Sequence, residues 1–171
     1  DLITLGATHK PKLVIEPVHD IDCVIDTVQL FAQNSDSGPE FIAEWSTRNG
    51  KIIGDRFSLN VSTAVKGTYQ LKISNTLNQC ISIDSAVIHE NRMVPSISTE
   101  GKADLDCNLP STVLKGMTSS PNTVHLWSKL GTQFKDTAAA ILVSTGGDYV
   151  FQVLDTLNNC KSNKSHSKRV C

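Results

Sequence analysis

The chain of 171 residues carries one pattern twice, and this repeat constrains its fold more than any other feature. Each copy has an Asp-Cys pair, a tryptophan, a tyrosine and a Thr-Leu-Asn-x-Cys segment, in that order. The two copies stand at Asp22-Cys23, Trp45, Tyr69 and Thr76–Cys80, and at Asp106-Cys107, Trp127, Tyr149 and Thr156–Cys160. A period of about 80 residues is too long for a solenoid unit and fits one small autonomous domain. Small domains in series supply reach and several contact points more often than a single catalytic cleft.

Prolines at matched positions predict where each module begins. Pro11 and Pro95 each precede the first cysteine of their copy by 12 positions. We therefore expect module one over 11–94 and module two over 95–171. Residues 1–10 are interpreted as the tail strand of a preceding module, because their start resembles the strand-like segment that closes module one. An ordinary N-terminal strand with a chance resemblance is the alternative.

The last segment of module two differs from its counterpart. Lys161–Arg169 has four basic residues, one histidine and no acid, which is unusual for a strand with a buried face. This composition predicts a solvated edge strand or a flexible tail.

Apolar residues alternate with polar ones at a period of two, and this pattern predicts strands. In module one it covers Thr27–Gln33, Phe41–Ser46, Phe57–Val61, Tyr69–Ser74 and Ile81–Ile88, and in module two it covers Thr112–Leu114, Val124–Trp127, Ala140–Val143 and Tyr149–Leu154. About seven short strands per module, separated by turn signals, indicate an all-β chain of two β-sandwiches. Trp45, Tyr69, Trp127 and Tyr149 are the expected centres of the two cores.

Composition and motifs argue against several classes of function. Sixteen basic residues balance 17 acidic ones, so no nucleic-acid partner is expected. No apolar run is long enough to span a bilayer, so no membrane insertion is expected. The sequence has no nucleophile-elbow motif and no closely spaced histidine pair. We therefore expect no enzyme and no cofactor.

Aspartates near the first cysteine of each module are weak candidates for calcium ligands. They are Asp20, Asp22, Asp104 and Asp106. Carboxylate oxygens suit calcium, which would stiffen a joint between modules. Solvated loop acids are the preferred interpretation, because no calcium-loop motif accompanies them.

Cysteine usage indicates the compartment. Cys23, Cys80, Cys107 and Cys160 recur at matched places without a C-x-x-C spacing, which favours disulfides in an oxidising compartment. From the repeat alone we expect one bridge within each module, closing a loop of nearly 60 residues and contributing about 4 kcal/mol of stability. Four buried thiols are the alternative. Cys171 is left over, and it would pair outside these residues, pair between chains, or stay free.

The segments Trp45–Ile52, Gly67–Ile73 and Asn78–Cys80 resemble the tandem immunoglobulin-like (PKD-like) modules of large bacterial surface proteins and adhesins, of the kind found in Bacteroidetes. Module two keeps the cysteines, the tryptophan and the Gly-x-Tyr of this pattern, but it lacks the asparagine-glycine turn after the tryptophan. The W-D-F-G-D-G signature of PKD domains proper is absent. We expect no antibody-type tyrosine corner, because Tyr69 precedes Cys80 by 11 positions.

The resemblance implies an extracellular, non-enzymatic module that acts as a stalk, an adhesin or a filament subunit. Its expected partners are other modules of the same protein, further copies in a filament or homo-oligomer, and a cell-surface or glycan target. The alternative is an accessory ligand- or polysaccharide-binding region of a secreted enzyme, which predicts an exposed platform of aromatic residues.

Overall fold

The computed structural model describes residues 9–101, 104–106 and 108–170. Within these ranges every regular element is a β-strand, which confirms the predicted all-β class. The chain divides into two units, Asp1–Asn91 and Arg92–Cys171, which we call module one and module two. This division falls three residues before the predicted start of module two. Most of the predicted tail over residues 1–10 lies outside the described residues.

Module one contains two antiparallel sheets that face each other across its core. Its strands are β1 (Val28–Phe31), β2 (Phe41–Thr47), β3 (Asn60–Thr63), β4 (Gly67–Asn75) and β5 (Ile81–Ile88). One sheet pairs β1 with β3, and the other has the order β2-β4-β5. Tyr69, Leu71 and Ile73 alternate along β4 and are fully buried, as the period of two requires. The third predicted strand begins later than expected, at Asn60.

Module two repeats this layout with additional short strands. They are β6 (Ser98–Glu100), β7 (Asp104–Leu105), β8 (Thr112–Met117), β9 (Thr123–Lys129), β10 (Lys135–Asp136), β11 (Ala140–Val143), β12 (Gly147–Asp155) and β13 (Lys161–Val170). One sheet has the order β11-β8-β6 and the other β10-β9-β12-β13-β7. Trp127 on β9 lies opposite Phe151 on β12, just as Trp45 lies opposite Leu71 in module one.

The basic segment at the end of module two is a strand, so the flexible-tail interpretation is wrong. β13 pairs antiparallel with β12 along its length, and its last residues pair in parallel with β7. Among the described residues, β12 alone pairs with Lys161–Lys168, so this part of β13 fits the predicted solvated edge strand. Its outward positions carry lysine, asparagine and serine, whereas β5 exposes Ile81, Ile83 and Val87.

One lysine of β13 occupies a core position. Lys168 lies opposite Gly147 and is only 4% exposed, whereas the matching Ile88 lies opposite Gly67. Its Nζ finds no hydrogen-bond partner among the described residues. Desolvation lowers the pKa of Lys168, and the nearby Asp104 carboxylate opposes that shift only in part. Module two therefore keeps an ammonium group where module one has a methyl group.

The two cores fill the same space with different side chains. Ala32 and Leu71 in module one occupy the repeat positions of Gly116 and Phe151 in module two, and all four residues are buried. The main-chain N–H groups of Ala32 and Gly116 donate matched bonds to the carbonyls of Leu59 and Ala139. A Cβ atom at Gly116 would lie well inside 3.0 Å of the Phe151 ring. Module two accommodates its larger aromatic side chain because glycine stands beside it.

The expectation of no tyrosine corner is wrong. The Tyr69 hydroxyl donates to the carbonyl of Val65, 2.6 Å away and four residues upstream, and the Tyr149 hydroxyl donates to the carbonyl of Thr145 at 2.9 Å. A tyrosine near the start of a strand that bonds to backbone just upstream defines such a corner. The spacing from Tyr69 to Cys80 misled the prediction, because this cysteine follows the strand instead of lying on it.

Candidate functional site

The second cysteine of each module closes a loop with the same hydrogen bonds in both copies. The main-chain N–H of Cys80 donates to Asn78 Oδ1 at 2.9 Å, and that of Cys160 donates to Asn158 Oδ1 at 3.0 Å. The residue before each cysteine has a positive φ, 62° at Gln79 and 57° at Asn159. These left-handed residues are tolerated because the loop bonds fix the backbone around them. We call these two segments the second-cysteine loops.

Each second-cysteine loop is fastened to the start of its own module. Asn78 Nδ2 donates to the carbonyl of His9, and Asn158 Nδ2 donates to that of Met93. Two residues after each cysteine a serine hydroxyl donates to a proline carbonyl, Ser82 to Pro11 and Ser162 to Pro95, both at 2.6 Å. The second cysteine therefore lies at the end where the chain enters its module. The recurring N-x-C-x-S sequence is the signal for these anchors in the chain.

The first cysteine of module one lies at the opposite end. The main-chain N–H of Ile21 donates to the carbonyl of His89, and the Ile21 carbonyl accepts from the N–H of Asn91. Ile21 thus pairs beyond the far end of β5 from Cys80. Asp22 Oδ1 accepts from the N–H groups of Val24 and Ile25 at 2.7 and 2.6 Å, which fixes the turn that carries Cys23.

Module two has the same turn. Asp106 Oδ1 accepts from the N–H groups of Asn108 and Leu109, both at 2.7 Å. Leu105, just before it, pairs with Val170 at the end of β13. Cys107 and Cys171 lie outside the described residues.

The predicted bridge within module one is wrong. Cys80 is a free thiol, whereas Cys23 is disulfide-bonded. The physical reason is distance, because β5 alone spans about 26 Å between the two ends. The Cα atoms of a disulfide stand only about 4.4–6.8 Å apart. Cys160 is also disulfide-bonded, so the alternative of four reduced thiols is wrong as well.

The structure places the four aspartates named as weak calcium candidates at separate positions. Asp22 and Asp106 hold the two turns described above, and Asp20 Oδ1 accepts from the N–H of His89 at 3.0 Å. Asp104 lies on β7 opposite Arg169. Across the described ranges no three His, Cys, Asp or Glu side chains form a group that could hold a metal ion.

Other reactive groups are scattered over the described surface. The ring of His125 lies 5.6 Å from that of Phe151 and is tilted by 44°, and His166 Nδ1 lies 3.5 Å from Thr99 Oγ1. Burial lowers the pKa of His166, and the positive charge of Lys168 lowers it further. A depression in module one is lined by Ser46, Arg48 and Asn49 among others. No helix long and apolar enough to cross a membrane occurs in the ranges that the structure describes.

The sequence matches no protein-family model and no curated protein, but its structure resembles solved structures. Extracellular domains 3–5 of Drosophila OTK match with a TM-score of 0.51 and 12% identity, over 94% of this chain and 62% of that one. Murine CEACAM1b matches with a TM-score of 0.42 and 11% identity, over 95% and 100%. Three N-terminal domains of the outer capsid protein Hoc of bacteriophage RB49 match with a TM-score of 0.46 and 12% identity, over 94% and 59%.

The OTK match bears on the class of fold. At 12% identity, its likeness concerns architecture only. Together with the sheet orders of the two modules, it shows that the chain consists of tandem immunoglobulin-like β-sandwich modules. The chain spans about three fifths of the length of the OTK and Hoc structures.

Proposed function

We propose that this chain is a non-enzymatic segment of an extracellular tandem-repeat protein, in which immunoglobulin-like modules act as structural or adhesive units. The observation that carries the proposal is the repetition of the module ends down to single hydrogen bonds. Ser82 and Ser162, for example, make the same bond to Pro11 and Pro95. The two modules therefore share the hydrogen bonds that hold the segment by which the chain enters each of them.

The cysteines support an extracellular location. Disulfides persist in oxidising compartments and are rare in the cytosol. Two of the three cysteines in the described ranges are oxidised, Cys23 and Cys160. Both lie in loops at module ends.

The aromatic side chains disfavour the accessory polysaccharide-binding alternative. Sugar platforms need aromatic rings exposed side by side. All nine aromatic residues lie in the described ranges, and only Phe57 is exposed, with the Arg56 guanidinium stacked on its ring at 4.8 Å. Trp45, Tyr69, Trp127 and Tyr149 are buried in the cores.

The finer form of the proposal is a stalk, adhesin or filament subunit built from PKD-like modules of the Bacteroidetes type. Its partners would be neighbouring modules, further copies of the same protein, and a cell-surface or glycan target. The repeat and the resemblance of Trp45–Ile52 and Gly67–Ile73 to those modules support it.

Electron microscopy of the complete protein from its native source tests the proposal. We expect a rod or filament with regular beads about 80 residues in mass. An assay of the same preparation against a panel of hydrolase substrates is the companion measurement. A compact particle with catalytic activity that depends on these modules would overturn the proposal.

A further inference from the structure

We propose that module one binds an acidic sugar whose carboxylate pairs with the guanidinium of Arg48. The site is a depression of about 500 Å³ where β2 ends and β4 begins, which we call the Arg48 depression. It is lined by Ser46, Thr47, Arg48, Asn49, Thr68 and Gln70. Its volume lies within the range of small-molecule sites. The inference rests on the function proposed above, because it gives the glycan target a chemical class.

Arg48 supplies the positive charge of the depression. None of the ion pairs among the described residues includes its guanidinium. Glu44 precedes Ser46 on the same face of β2, but its carboxylate is already paired, with Arg56 at 2.9 Å and Lys72 at 3.6 Å. A planar guanidinium offers two parallel N–H donors, which match the two oxygens of a carboxylate. A ligand that carries a carboxylate is therefore the best electrostatic match to this site.

Three uncharged side chains beside Arg48 match the hydroxyl groups of a sugar. Ser46 lies opposite Gln70 in the register of β2 and β4, and Thr68 lies on the same face of β4 as Gln70. All three are exposed, and their side chains make no hydrogen bond to another described residue. Hydroxyl and amide groups both donate and accept, as sugar hydroxyl groups require. Binding of this kind uses charge and hydrogen bonds and needs no exposed aromatic ring.

The backbone on both sides of Arg48 is held in place, so little of the site has to be ordered when a ligand binds. Thr47 Oγ1 donates to the carbonyl of Thr68 at 2.8 Å, and Asn49 Oδ1 accepts from the N–H of Thr68 at 3.0 Å. The N–H of Gly50 donates to Thr47 Oγ1 at 3.1 Å. A preorganised site loses less affinity to the ordering of its groups.

Module two keeps the strands around this position but lacks the side chains of the site. Three lining residues of module one differ in charge or polarity from their repeat counterparts, and the pairs are Arg48 and Leu130, Thr68 and Asp148, and Gln70 and Val150. The Asp148 carboxylate, which accepts from the Ser167 hydroxyl at 2.6 Å, would repel an anion. The immunoglobulin-like fold therefore does not require an arginine here, which supports a binding role for Arg48.

Titration of the 171-residue chain, followed by nuclear magnetic resonance of its amide groups, tests the proposal. The probes are methyl glucuronide and methyl galacturonide, with methyl glucoside and methyl galactoside as neutral partners that lack only the carboxylate. We expect at least one acidic sugar to shift the signals of residues 46–49 and 68–70, with a Kd on the order of 1 mM. Its neutral partner should bind about 10-fold more weakly or not at all. Added sodium chloride should weaken the binding of the acidic sugar.

Matched variants separate the role of Arg48 from its net charge. Arg48→Leu copies module two and should weaken binding about 10-fold or more, because the charged hydrogen bonds are lost. Lys51→Leu removes the same charge outside the depression and should leave the Kd within about 2-fold of the parent. Thr68→Asp also copies module two and should abolish binding by repulsion, so it serves as the test if Arg48→Leu does not fold.

A glutamate tripeptide tests the alternative of an acidic peptide ligand. Tighter binding of this peptide, equal affinity for acidic and neutral sugars, no response at residues 46–49, or full affinity in Arg48→Leu would overturn the proposal. If electron microscopy shows beaded rods but no acidic sugar binds, this inference fails while the proposed function stands. A compact catalytic particle would refute the proposed function whatever the titration shows.

Discussion

Gly116 and Phe151 should be thermodynamically coupled. In Gly116→Ala the new methyl carbon would lie well inside 3.0 Å of three ring atoms, whereas ordinary contact needs 3.4–4 Å. The ring must therefore withdraw by roughly one ångström within a close-packed core, which costs about 1–3 kcal/mol. Phe151→Leu alone leaves a gap beside glycine and should cost about 1–2 kcal/mol. The double variant recreates the alanine–leucine pair of module one, so the added methyl fills that gap.

We expect the double variant to be more stable than the sum of the single changes predicts, by about 1–2 kcal/mol. The assay is equilibrium unfolding in urea followed by tryptophan fluorescence. All variants carry Trp45→Phe, so that Trp127 alone reports and module two is observed by itself. Val113→Ala, an exposed change on the same strand, is the control and should stay within about 0.5 kcal/mol of the parent. Additive costs for the two core changes, or a neutral Gly116→Ala, would refute the packing explanation.

Three further predictions follow from the described contacts. Lys168→Ile should raise the free energy of unfolding of module two by about 1–3 kcal/mol, because it removes a buried amine that has no hydrogen-bond partner among the described residues. Lys164→Ile, at an exposed position of the same strand, is the control and should leave that free energy unchanged. Equal effects of the two changes in chemical denaturation would contradict the prediction. The lowered pKa of Lys168 means that the folded state binds fewer protons than the unfolded state. Stability should therefore rise as pH increases from the lowered pKa toward the ordinary value of 10.5, and the Ile variant should lose this part of the slope. Tyr69→Phe should cost about 1–3 kcal/mol in thermal unfolding, because the N–H of Lys51 loses its acceptor and the carbonyl of Val65 keeps only the Thr63 hydroxyl as a donor; an unchanged midpoint would exclude a stabilising corner.

The repeat and the period-two pattern were enough to predict the fold. Successive residues of β4 lie alternately in the core and at the surface. The apolar residues Tyr69, Leu71 and Ile73 therefore form a local sequence pattern that predicts the strand without coordinates. The edge strand β13 was predictable only as one of two alternatives. Its lysines predict a solvent-exposed face. Its pairing with β12 could not be read from that segment alone, because it depends on contacts with another part of the chain.

The cysteine pairing failed for a topological reason. A repeat shows that Cys23 and Cys80 are equivalent to Cys107 and Cys160, but it does not show at which end of a module each one lies. That information comes from the parallel pairing of Ile21 with Glu90, which places Cys23 beyond the far end of β5. The sequence also did not predict that Gly116 makes room for the ring of Phe151. The two residues lie on different sheets and become neighbours only when the sheets pack against each other.

The unequal edges of the two modules determine where strands from other molecules could add. Lys161 and Lys164 on β13 are exposed, so an incoming strand would have to desolvate their ammonium groups. The isoleucine-lined rim of β5 presents no such barrier. Sideways growth of a fibril by backbone pairing would therefore start at module one, and a lysine placed at Ile83 would be the simplest way to suppress it.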